Sequence, residues 1–294
     1  MSYNSIFRHD LFAGQTLLVT GGGSGIGRCI AHEISALGGR VLLLGRTLEK
    51  LQRVQAEIEA DGGLADSFSC DIRDEDAVQQ TVTTMLQRYD AIDGLVNNAG
   101  GQFPSPLESI SKNGFEAVVR ANLIGSFLVS REVFKQSMKA RGGAVVNITA
   151  DNRGGMPMMA HSGAARAGVE NFTQTAAVEW SPHGVRVNAV APGYIISSGM
   201  DSYESPEMKA QIPRMKDSVP LNRMGTEAEI SSAICFLLSD GARYLTGQVI
   251  AVDGGTSLKT GSPLWQLQPA QNNDAYNGFH RSELPKILQT DEEH

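Results

Sequence analysis

The chain has 294 residues, of which 41% are hydrophobic and 19% charged, with 32 Gly, 11 Pro, 3 Cys and a formal net charge of −7. This composition fits a globular α/β protein and excludes collagen-like, disulfide-stapled and disordered chains. The acidic balance argues against a nucleic-acid-binding surface. No apolar run reaches the roughly 18 residues of a membrane span, and residues 1–12 lack the apolar core of a secretion signal, so a cytoplasmic protein is expected. Cys29, Cys70 and Cys235 are odd in number and lack ligand spacing, which predicts buried thiols and no metal site.

Short aliphatic runs at 16–20, 40–44, 65–69, 94–96, 144–148, 186–190 and 249–252 alternate with helical patterns at 25–37, 48–60, 75–88, 114–140, 160–181 and 227–239. The runs are continuously apolar rather than alternating, as strands covered on both faces are, so a seven-stranded parallel sheet flanked by helices is predicted. Residues 193–223 interrupt the rhythm with Gly, Pro, Met and Tyr and read either as a substrate lid or as a surface insertion. An N-terminal arm (1–12) precedes the domain at 13–257, and a polar tail (258–294) follows it, with a neighbouring subunit as one resting place.

After the first strand comes Thr20-Gly21-Gly22-Gly23-Ser24-Gly25-Ile26-Gly27. Glycines at a strand-to-helix turn permit positive φ and close backbone approach, and the helix start presents free N–H groups to a pyrophosphate. The second strand ends in Gly45-Arg46, where an acidic residue would hold the adenosine ribose of NAD; Arg46 instead suits the 2′-phosphate of NADP(H), or is simply a solvated arginine. Asp71 and Ile72, after the third strand, are placed at the adenine, with a helix cap as the structural alternative for Asp71.

These residues resemble the short-chain dehydrogenase/reductase family, over residues from about 13 to 257. The resemblance rests on the Thr20–Gly27 turn, Asn97-Asn98-Ala99-Gly100, Asn122 and Pro192-Gly193. It implies one Rossmann-type doubly wound domain, a nicotinamide cofactor, and a homodimer or homotetramer through the two long helices. It further implies that Asn98, Ala99, Gly100, Pro192, Gly193 and Ile195 line the cofactor. The family's usual Ser and Tyr-x-x-x-Lys are missing: Ala150 stands at the Ser position, Ser162 at the Tyr and Arg166 at the Lys.

A serine hydroxyl is a far weaker acid than a phenol, and arginine stays charged, so protonation of an alkoxide has no obvious donor. Reduction of a C=C bond conjugated to a thioester requires only that donors stabilise an enolate oxygen. Ser162, Asn122 and Asn152 are the candidate donors, with Arg166 holding the nicotinamide ribose. Segments 161–169 and 98–103 resemble peroxisomal trans-2-enoyl-CoA reductase, and Asn152-Arg153-Gly154 resembles peroxisomal 2,4-dienoyl-CoA reductase. Tyr194 is the nearest candidate phenol, or a packing residue under the lid. Met156, Met158, Met159, Met200, Met208 and Met215 bracket the expected mouth and suit a long or branched acyl chain. Three functions follow: an NADPH-dependent enoyl-CoA or dienoyl-CoA reductase, an alcohol dehydrogenase or ketoreductase for an apolar branched or terpenoid substrate, and a non-catalytic NADP-binding protein.

Overall fold

The computed structural model describes residues 2–203, 205–258, 267 and 273–289. The expected alternation is present as β1 (Thr16–Thr20), α1 (Gly25–Ala36), β2 (Arg40–Gly45), α2 (Leu48–Ala60), β3 (Leu64–Ser69), α3 (Glu75–Arg88) and β4 (Gly94–Asn97). A long helical rod then runs through α4 (Lys112–Val119), α5 (Gly125–Val133) and α6 (Lys139–Arg141), before β5 (Gly143–Ile148), α7 (Ala160–Trp180) and β6 (Val185–Pro192). The remaining elements are β7 (Ile195–Ile196), α8 (Pro206–Gln211), β8 (Gly225–Thr226), α9 (Glu227–Leu238) and β9 (Val249–Val252).

Seven strands form one parallel sheet in the order β3-β2-β1-β4-β5-β6-β9. Successive side chains of a strand point to opposite faces. Accordingly, Leu17 and Val19 of β1 pack with Ile30, Ile34 and Ile234 from α1 and α9, whereas Leu18 packs with Val78, Leu95 and Val129 on the other side. Both faces are covered, which explains the continuously apolar strands. The order reverses between β1 and β4, and this switch opens a crevice at the carboxyl ends of the strands.

The rod differs from the single α-helix predicted over 114–140. It begins at Lys112 because the Ser111 side chain accepts from the Gly114 N–H, and it contains π turns at Arg120–Ile124 and Phe134–Met138. A π turn admits one extra residue and re-aims the side chains around it; here the first one carries Asn122. The 193–223 stretch is also more ordered than an irregular lid. Ile195 and Ile196 pair in parallel with Gly225 and Thr226, a 3₁₀ turn spans Ser198–Ser202, and α8 follows.

Within 258–294, the parts at 259–266, 268–272 and 290–294 lie outside the described residues. Residues 273–289 pack on the chain's own body. Phe279, 3% exposed, sits with Tyr3, Cys29 and Ala228, while Arg281 and His280 both bind Asp61 at the end of α2. Further on, Ile287 and Leu288 pack against Met200, Ile212 and Met224 of the lid. The three cysteines are buried free thiols.

Candidate active site

The turn between β1 and α1 is shaped for close approach. Gly21 and Gly25 have φ of +66° and +55°. A Cβ at Gly27 would lie 2.3 Å from the Gly21 carbonyl oxygen and 2.4 Å from Asn98 Nδ2, so only glycine fits. Thr20 Oγ1 accepts from the backbone N–H groups of Asn98 and Ala99, and Asn98 Nδ2 donates to the carbonyls of Thr20 and Gly21. Thr20, Gly27 and Asn98 therefore shape the turn from inside. Gly25 opens α1, and the partly buried Ile26 packs on the core.

A groove of about 350 Å³ runs over this turn and brings together Gly21, Gly23, Ser24, Arg46, Asp71, Ile72, Ala99 and Gly100. Ser24 precedes α1 without capping it, so its hydroxyl faces the groove unspent. Lys50, on the first turn of α2, lines the same groove and was not singled out in the sequence. Neither Arg46 nor Lys50 has an ion-pair partner among the described residues. Asp71, by contrast, is held by Arg73 through contacts of 2.6 and 2.9 Å, which take its carboxyl down to about 2. The residues present thus fit a dinucleotide with a phosphate on its adenosine ribose.

At the other end, Gly193 donates its N–H to the Val252 carbonyl and lies so close to Asp253 that a Cβ would meet the Asp253 Cα at 2.7 Å. Pro192 closes β6 beside it. Ile195 turns its side chain into the core, so only its backbone can meet a cofactor. Tyr194 is 39% exposed and its hydroxyl has no partner among the described residues, while its carbonyl accepts from Gly225 N.

Ser162 and Arg166 lie on the first turns of α7, one turn apart, and so share a face. Ser162 is fully buried, and its Oγ donates to Gln102 Oε1 at 2.7 Å. Arg166 donates to the Ile148 carbonyl at 2.6 Å. Its Nε has no partner, no carboxylate pairs with it among the described residues, and desolvation pulls it down to about 10. It remains a cation at neutral pH, uncompensated in the site.

Each of the two asparagines spends one of its two Nδ2 hydrogens inside the protein. Asn122 Oδ1 accepts from Gly101 N at 2.9 Å and its Nδ2 donates to the Gly101 carbonyl at 3.0 Å, so both ends of its amide hold the loop after β4. The π turn aims the side chain there. Asn152 Nδ2 donates to Glu170 at 3.1 Å, the position of an acid rather than a substrate. Of the methionines, Met200 and Met215 belong to the lid cluster, Met156 lies against Gly163, and Met158 is 46% exposed at positive φ.

Two further groups complete the site. Gln102 Nε2 lies 3.3 Å from the hydroxyl of Tyr203, at the end of the lid's 3₁₀ turn. Phe103 packs edge-on against the fully buried His161, with ring centroids 4.4 Å apart. Gln102 had a sequence signal in the 98–103 pattern. Tyr203 had none, because 101 residues separate it from its partner.

A doubly wound sheet whose crevice begins at a glycine-walled helix start defines a dinucleotide-binding fold. A family model described as Enoyl-(Acyl carrier protein) reductase matches residues 21–257. The chain belongs to the short-chain dehydrogenase/reductase family, whose members bind a nicotinamide cofactor. It is 34% identical over 268 residues to the peroxisomal 2,4-dienoyl-CoA reductase of Danio rerio, covering 90% of this chain and 89% of that one. Among solved structures, it is 55% identical to a citronellol catabolism dehydrogenase (AtuB) of Pseudomonas aeruginosa PAO1, with a TM-score of 0.78 and coverage of 87% of this chain and 100% of that one. A Beutenbergia cavernae chain described as NAD(P) dependent and solved with bound NADP is 35% identical, with a TM-score of 0.77 and coverage of 84% and 98%. No described helix is long and apolar enough to cross a membrane.

Proposed function

We propose that this oxidoreductase uses NADPH to reduce the carbon–carbon double bond of an enoyl-CoA or dienoyl-CoA. The observation that carries the reading is the pairing of Ser162 with an uncompensated Arg166 where a phenol and an amine would serve carbonyl reduction. Arg46 and Lys50 would hold the 2′-phosphate, the Gly21–Gly27 turn the pyrophosphate, and Arg166, through its unpaired Nε, the nicotinamide ribose. When bound, NADPH would supply the hydride, to the β-carbon of an enoyl-CoA or to the δ-carbon of a 2,4-dienoyl-CoA. Negative charge then gathers on the thioester oxygen, where the Ser162 hydroxyl stabilises it as a donor and Arg166 as a nearby positive charge. Neither group has to surrender a proton. The α-carbon can take its proton from water. The likeness to a 2,4-dienoyl-CoA reductase supports this chemistry.

The 55% identity to a citronellol catabolism dehydrogenase favours a second reading, oxidation of an apolar branched alcohol, with the exposed Tyr194 phenol or a water as the base. Both readings take a substrate with a long or branched apolar chain, which the methionine-rich lid suits. Exposed Ile124, Phe127 and Val178 on the two long helices support a homo-oligomer joined there. The test is nicotinamide absorbance with purified protein, offered 2-enoyl-CoA and 2,4-dienoyl-CoA with NADPH and branched alcohols with NADP. Thioester turnover is expected. Turnover of alcohols with inert thioesters would select the second reading, and tight cofactor binding without any turnover would reject both.

A further inference from the structure

Ser162, on which the proposed thioester chemistry rests, is engaged with Gln102. A hydroxyl carries one proton. With Gln102 Oε1 at 2.7 Å as its acceptor, that proton is spent inside the protein and is not available to a substrate oxygen. The far end of the same amide, Nε2, faces the Tyr203 hydroxyl at 3.3 Å. The oxygen and nitrogen of a glutamine amide exchange places by a half-turn of the terminal torsion, with the heavy atoms left in the same positions. After that half-turn Tyr203 O–H donates to Gln102 Oε1, Gln102 N–H donates to Ser162 Oγ, and the Ser162 O–H is released toward the substrate.

We propose that Gln102 and Tyr203 are positioning residues that set the direction of the Ser162 hydroxyl and tie it to closure of the lid. Gln102 is well placed to act as the switch. The residue before it, Gly101, is held from both sides by the Asn122 amide, so the backbone under Gln102 is fixed while its side-chain amide is free to turn. Tyr203 belongs to the other wall. It follows the 3₁₀ turn Ser198–Ser202 and packs against the cluster of Met200, Ile212 and Met224 that also receives Ile287 and Leu288. With the phenol at Gln102 both orientations of the amide are satisfied, the observed one and its half-turned counterpart; when the lid opens and removes the phenol, nothing turns Oε1 away from Ser162 and the amide keeps its proton. The chain of donors polarises toward the substrate, each bond strengthening the next, and no proton is transferred along it.

A double-mutant cycle with lid exchange tests this. Tyr203→Phe is expected to lower kcat for 2-enoyl-CoA about tenfold with KM within about twofold, the loss of one aligned donor. Ser162→Ala is expected to lower kcat about 100-fold, and adding Tyr203→Phe to it to cost less than about twofold more, because the phenol acts only through Ser162. Additive losses would overturn the relay. Hydrogen exchange over residues 198–218, measured in the NADPH complex, is the second arm: Tyr203→Phe and Gln102→Met should each speed it about tenfold. Exchange unchanged in both variants would also overturn the proposal. Inert thioesters with wild-type protein would instead reject the C=C reading, and the exchange arm would then decide the contact between Gln102 and Tyr203 by itself.

Discussion

Replacing both Arg46 and Lys50 by alanine should convert a cofactor preference into indifference. Both cations line the groove, and neither has a carboxylate partner among the described residues. The carboxylate nearby, Asp71, is occupied by Arg73 at 2.6 Å. A phosphate about 4 Å from one such cation gains about 1 kcal/mol in bulk water and up to about 4 kcal/mol at the lower dielectric of a protein surface. Both side chains are exposed, and salt screening holds the figure to about 1–1.5 kcal/mol each. Each substitution should therefore weaken NADPH roughly tenfold, and the pair roughly 100-fold. NADH, which lacks the phosphate, should change by less than about threefold. Titration of nicotinamide fluorescence on mixing with each variant, in 50 mM and 500 mM salt, reads both numbers. The wild-type preference should itself shrink at the higher salt. Equal losses for NADPH and NADH, or a wild type that binds both alike, would refute the assignment of these residues to the 2′-phosphate.

Two buried groups give stability opposite pH dependences. His32 is pushed down to about 4 by burial, so the unfolded chain takes up its proton first as pH falls, and stability drains away between about 6.5 and 4. Glu227 is pushed up to about 7 by burial, so its contribution is whole below about 4.5 and lost as pH rises through 7. Each amounts to about 3 kcal/mol at full extent. In thermal melts, His32→Gln should gain on wild type as pH falls through that window, and Glu227→Gln should gain as pH rises; parallel curves for wild type and both variants would show that neither group titrates differently on folding. Gly27→Ala should abolish cofactor binding and lower Tm, because its methyl group overlaps the Gly21 carbonyl at 2.3 Å, whereas Gly154→Ala, with nothing within 4 Å, should behave as wild type in the same melts.

Much of this architecture was legible along the chain. Strand and helix order follows from local hydrophobic periodicity, and continuously apolar strands require cover on both faces whatever the details of packing. The glycine turn was legible because its chemistry is contiguous: residues 20–27 carry both the positive φ and the helix start. So was the placing of Ser162 and Arg166 one turn apart on a single helix, which is a matter of identity and spacing alone.

Contacts between distant segments were decided only by the fold. A π turn, which has no simple sequence code, directs the Oδ1 and one Nδ2 hydrogen of Asn122 to Gly101. Asn152 meets Glu170 because the loop after β5 folds back on α7. Lys50 becomes a partner of Arg46 only once α2 starts where it does. The polar tail carries no periodicity, but Phe279, Arg281 and Ile287 find apolar and charged partners up to 276 residues away. The contact of Gln102 with Tyr203 is of the same kind. Local sequence specifies which groups the chain owns and which elements carry them, while hydrogen-bond partners are fixed by where the packed layers bring those elements together.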